Sequence, residues 1–190
     1  MKKKKLFILA LIIFGINYIN AQKIISIEAE GNLESPNSLE CISLNEVKNN
    51  NNPADILNGM TKCVQAKEYQ KAAGLFAIAR VYGKYDTFRV KDKTAHQAIL
   101  MLQENMFASF DENQIDLIFQ SIRKELESNS ESLDEICLKI KEIGEPTYHP
   151  TYMIRHGISA FTDMKGNGLI EDFDGKESFN LALSNYLKCK

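Results

Sequence analysis

Apolar residues recur along most of this chain at spacings of three and four, and that rhythm predicts helices. Ile56, Leu57, Met60, Cys63 and Val64 fall at i, i+1, i+4, i+7 and i+8 and form a single stripe. Pro53 suits the first helical position, with Asn52 as N-cap and Asp55 in the first turn. A second helix is predicted over about Tyr69–Tyr82, carrying Ala72, Ala73, Leu75, Phe76 and Ala79, and a third over about Lys93–Phe107. Asp111 with Gln114 makes a capping box for a fourth, whose stripe is Ile115, Ile118, Phe119, Ile122 and Leu126. Ser132 with Glu135 reads as the cap of a fifth, which Gly144 and Pro146 stop. A sixth helix is expected from about Pro150 to Phe161 and a seventh from about Lys176 to Leu187. Alternating strand patterns are nearly lacking. The fold class is all-α, one domain of about six to seven antiparallel helices over residues 53–190.

The N-terminal third has a different grammar. Lys2–Lys5, the nine-residue apolar run Leu6–Phe14 and the small Ala21 match the three regions of a secretory signal peptide over residues 1–21. The run is far shorter than the roughly 20 residues that span a bilayer, so no stable membrane span is expected after cleavage. Residues 22–52 form an irregular segment, with a short strand possible at Lys23–Glu28 and the polar run Asn49–Asn52 read as an unpacked linker. The expected location is outside the cytoplasm, periplasmic or secreted.

Within the first two helices, Tyr69-x-x-Ala72-x-x-x-Phe76-x-x-Ala79 resembles the second half of a tetratricopeptide or Sel1-type repeat. The resemblance covers residues 53–83. Ile56 stands where the family favours an aromatic or large apolar residue, and Gly59 is offset from the family glycine by one or two positions. There is no second copy at a 34-residue period, so the resemblance implies one helical hairpin rather than a solenoid, and binding rather than catalysis.

Charge changes the picture once export is considered. The whole chain has 23 Lys and Arg against 25 Asp and Glu, but four of the lysines belong to the signal segment. Without them the protein is acidic by about six charges, which argues against nucleic acid as a partner. Export also gives the four cysteines a role, since Cys41, Cys63, Cys137 and Cys189 form an even set with no CxxC spacing. Two disulfides are expected. Three pairings are open; Cys41–Cys63 with Cys137–Cys189 is preferred because each bond would tie a terminal segment to a helix.

Candidate chemistry is sparse. His96, His149 and His156 could hold zinc with a nearby acid, although His149 and His156 lie seven apart rather than four. Asp163, Asn167, Glu171 and Asp174 follow an EF-hand spacing, but Lys165 occupies a ligand position and opposes a cation. No nucleophile elbow or phosphate-binding glycine loop is present, so no catalytic residue is assigned and no cofactor is expected. What remains is a tyrosine- and arginine-bearing set. Tyr82, Tyr85, Asp86 and Arg89 are placed between the second and third helices, and Tyr148, Tyr152 and Arg155 around the sixth. Tyr and Arg are common at binding hot spots. Tyr85, Arg89, His96, Tyr148, His149, Tyr152, Arg155 and His156 are therefore the candidate binding residues. The same set also reads as an internal hydrogen-bond network bracing loops, with Asp86–Arg89 a local structural pair. The function expected is binding of another protein, as in a periplasmic immunity or inhibitor protein. The alternative is a metal-dependent hydrolase using the three histidines.

Overall fold

A computed structural model describes residues 28–162 and 166–190. The signal peptide, the strand expected at Lys23–Glu28, and Asp163 and Lys165 of the calcium-type loop lie outside the described residues, apart from Glu28 itself, which is in no strand. The fold is all-helical: α1 Pro53–Gln65, α2 Tyr69–Arg89, α3 Ala98–Phe107, α4 Glu112–Glu125, α5 Glu131–Ile143, α6 Thr151–Ile154 and α7 Gly175–Ala182. Among the described residues, extended pairing is confined to an isolated bridge between Val90 and Leu169. No helix among them is long and apolar enough to cross a membrane.

Helix α2 forms the axis of the structure. It is buried on every side over residues 72–79, and α1, α4, α5 and α7 all pack against it. Ala72, Ala73, Ala77 and Ala79 are fully buried, so the neighbouring backbones approach closely, while Leu75, Ile78, Val81 and Tyr82 fill the spaces between. The three residues between α1 and α2 turn through Lys67, which has a positive φ of 64°, and the two helices form a hairpin. A second, smaller core gathers Val90, Ala95, Ala98, Tyr152, Met153 and Ile154. Both expected disulfides are present, Cys41–Cys63 and Cys137–Cys189.

Several boundaries differ from the sequence reading, each for a physical reason. Helix α2 continues past Tyr82 to Arg89, so Tyr85, Asp86 and Arg89 lie on its last turns rather than in a loop. The cap of α5 is Ser130, not Ser132, because the Ser132 hydroxyl is committed to the buried carboxylate of Glu125. The sixth helix is one α-turn, Thr151–Ile154, and a separate 3-10 turn, Ile158–Phe161. Gly157 intervenes in extended backbone, packed against Asp92 and Ala95. The third helix likewise begins as a 3-10 turn, Lys93–Gln97, and the seventh ends as a π-turn, Leu183–Leu187.

The stretch read as an unpacked linker is packed. Asn51 and Asn52 are buried, and Asn52 shares a capping box with Asp55 at the start of α1. The Asp55 carboxylate also accepts hydrogen bonds from the Ser35 hydroxyl (2.8 Å) and from the backbone and side-chain amides of Asn37 (2.8 and 2.9 Å). One buried acid thus fastens an irregular segment to the first helix.

Candidate functional site

Of the tyrosine and arginine residues singled out in the sequence, Arg89, Tyr148 and Tyr152 converge on Asp86. This aspartate lies within α2, fully buried, where the chain passes between the two cores. Its Oδ2 accepts the hydroxyls of Tyr148 and Tyr152, each at 2.8 Å. Its Oδ1 accepts from Arg89 Nε at 2.8 Å, and Arg89 Nη2 sits 2.7 Å from the same oxygen as a charge contact too bent to be a second hydrogen bond. The guanidinium is held 5.0 Å from the ring centres of both Tyr85 and Tyr148. Tyr82 donates instead to the Gly144 carbonyl at 2.8 Å.

Electrostatics follow from burial. Burial raises the Asp86 carboxyl above its ordinary range, and Arg89 and the two phenols work against that rise. Burial, reinforced by the charge of Asp86, pushes the Tyr148 and Tyr152 phenols well up, so both remain donors at any physiological pH. The cluster is therefore a braced internal network, with Asp86–Arg89 its local pair.

Tyr148, Tyr152 and His149 also line a cleft of about 220 Å³ opening beside Gly31 and Glu34. That is below the roughly 300 Å³ at which small-molecule pockets usually begin. The histidines do not converge. His96 Nε2 bonds the Val90 carbonyl (2.9 Å), His149 bridges Thr151 Oγ1 and the Asn167 carbonyl (both 3.0 Å), and His156 Nδ1 meets Asn32 Oδ1 (2.9 Å). Arg155 caps the end of α6, half-buried. Among the described residues, no three His, Cys, Asp or Glu side chains stand together as a metal would require. Of the calcium-type positions, Asp174 caps α7 by accepting from the Glu177 amide at 2.9 Å, Asn167 Oδ1 accepts from the Leu169 amide, and Glu171 is exposed.

Asp92 holds this region in place as the N-cap of the 3-10 turn Lys93–Gln97, a position that favours Asp. Its carboxylate accepts from the Thr94 amide (2.9 Å), the Thr94 hydroxyl (2.6 Å) and the Ser159 amide (2.9 Å). Partial burial would raise its pKa, but these bonds outweigh burial and hold it well below the ordinary value of 3.8. A carboxylate whose folded pKa is depressed contributes stability above its unfolded pKa and loses it as pH falls. Asp92→Asn is therefore expected to be less stable than wild type at neutral pH, with the difference shrinking as pH drops below about 4. Urea midpoints at neutral and acid pH check this; a constant difference would contradict it.

A surface feature was legible in part. Ile99, Leu100, Met101 and Leu102 are four consecutive apolar residues, and on a helix four in a row cannot all face the core. Leu100 is 55% exposed. Glu104 and Phe107 follow it at four and then three residues along the same face of α3. Phe107 stacks on Phe119 of α4 with centroids 5.1 Å apart, and Phe119 is 39% exposed although its stripe position predicts packing. Phe107 and Phe119 thus stack across two helices, and exposed Leu100, two turns before Phe107 and beyond Glu104 on the same face of α3, extends this apolar ridge. Glu104, Glu112 and Asp116 flank it, none ion-paired among the described residues, with Arg123 one turn beyond Phe119.

No protein-family model, characterised protein or solved structure matches the chain.

Proposed function

We propose that this is an exported, disulfide-braced helical protein that acts by binding another protein, in the manner of a periplasmic immunity or inhibitor protein. The observation that carries the reading is the ridge of Leu100, Phe107 and Phe119 with its flanking carboxylates. Stacked aromatics at the centre and charge at the rim are the anatomy of a docking face. The acidic flank, on a chain acidic overall once its lysine-rich start is removed, selects a partner with a basic rim around an apolar pocket. Two disulfides support an oxidising location and tie the two terminal segments to α1 and α5. The hairpin of α1 and α2 belongs to the same reading. Of its tetratricopeptide-like positions, Ala72, Phe76 and Ala79 are buried and Tyr69 half-buried, with Phe76 packed on Phe107 of α3, a scaffold rather than a catalyst.

The test is affinity capture from the native envelope fraction with wild type and with a Leu100→Glu/Phe119→Glu variant of unchanged circular dichroism. Wild type is expected to retain a basic protein that the variant loses, and the purified pair should differ in affinity by roughly a hundredfold or more. Equal retention by both proteins, or association only of the chain with itself, would overturn the reading.

A further inference from the structure

We propose that the cavity beside Arg80 is a binding site for a small carboxylate carrying an apolar or aromatic group. The cavity measures about 330 Å³ and lies between α2, α4 and the π-turn near the C-terminus, a volume at the lower end for small-ligand pockets. Its walls combine Phe76, Ile122, Leu126 and Leu187 with the cationic side chains of Arg80 and Lys188.

Arg80 is the decisive group. Its guanidinium lies over two rings, 5.3 Å from the centre of Phe76 and 4.4 Å from that of Tyr186. It is more than half withdrawn from water, and among the described residues no carboxylate pairs with it. Burial pulls its pKa down, the mark of a cation lacking a counter-charge. Arg89, by contrast, is buried against Asp86, as buried cations ordinarily are. Tyr186, which lines the same cavity, also carries a buried hydroxyl with no hydrogen-bond partner. Tyr186 lies in the π-turn that closes α7, and Lys188, with a positive φ of 61°, is the left-handed residue that ends it.

The class of ligand follows from this chemistry. A guanidinium offers a planar fork of donors that matches a carboxylate. One fork with one lysine suits a single negative charge better than a phosphate, and the apolar wall calls for a hydrocarbon group behind it. Either a free organic acid or the C-terminal residue of a polypeptide presents that combination. The site does not depend on the protein-binding reading, although Phe76 also touches Phe107 of the ridge.

The experiment titrates the full, disulfide-bonded chain with 3-phenylpropionate and with 3-phenylpropionamide, following backbone amide shifts by NMR. N-acetyl-Gly-Gly-Phe, with a free or an amidated C-terminus, forms the second arm. The acid is expected to bind about tenfold more tightly than its amide, with the largest shifts at Phe76, Tyr186 and Lys188. Arg80→Met should erase the preference for the acid, and Arg80→Lys should weaken it several-fold. A peptide with a free terminus binding more tightly than phenylpropionate points to a polypeptide end as the source; the reverse points to a free acid. The proposal is overturned if acid and amide bind alike, if shifts fall elsewhere, or if Arg80→Met keeps the preference. Should Arg80→Met fail to fold, the acid–amide comparison on wild type and the Arg80→Lys variant still decide.

Discussion

Replacing Asp86 by alanine is expected to lower the unfolding free energy by about 3–5 kcal/mol, the range for breaking a buried ion pair from one side. The alanine would leave the Arg89 guanidinium buried, its side chain only 9% exposed, with no counter-charge. It would also strand the Tyr148 and Tyr152 hydroxyls, whose acceptor is the lost carboxylate. The damage spreads because Asp86 belongs to α2 while the tyrosines come from the segment around α6, so it ties together two cores that also share Leu102 and Tyr148. Urea denaturation measures the loss. The Asp86→Ala/Arg89→Met double variant should recover part of it, since it removes the orphaned charge along with its partner. A loss below about 1 kcal/mol for the single variant would mean that the network carries no net stability.

Replacing Cys137 and Cys189 together by serine should cost about 4 kcal/mol, because that bond closes the longer loop, 52 residues against 22 for Cys41–Cys63. The corresponding estimate for Cys41–Cys63 is about 3 kcal/mol. Thermal melts of the two double-serine proteins check the order. The first variant should also speed amide exchange in the π-turn at Leu183–Leu187, which the bond ties to α5. Unchanged exchange there would show that packing of Leu183 and Leu187 alone holds the chain end.

The parts of the fold legible in the sequence were those with local causes. Asn52 is the N-cap of α1 and Asp111 with Gln114 forms a capping box, both as the sequence indicates, and Asp55 of the first turn completes a second box with Asn52. Gly144 stops α5 with a positive φ of 84°, the task a glycine does best. Ser132 misled because its spacing to Glu135 mimics a cap, while its true partner, Glu125, lies seven residues upstream across a turn. The sequence ends α2 early because Asp86 looks like a loop residue until Tyr148 and Tyr152, more than sixty residues away, are known to satisfy it, as it in turn satisfies Arg89. The candidate binding set was half legible in the same sense. Tyr85, Arg89, Tyr148 and Tyr152 do meet, but as an internal brace, while His96, His149 and His156 each serve a separate turn. Arg80 and Tyr186 carried no signal, since nothing local joins residues that distant in the chain.

Asp55 caps α1 and clamps Ser35 and Asn37 with one carboxylate. Undocking the irregular segment therefore leaves a buried acid short of partners at the very end of a helix, and fraying that helix releases the segment. The two must open as one cooperative unit. A protease or a pulling force acting on the chain before Pro53 would meet the resistance of the α1 hairpin rather than that of a loose tail.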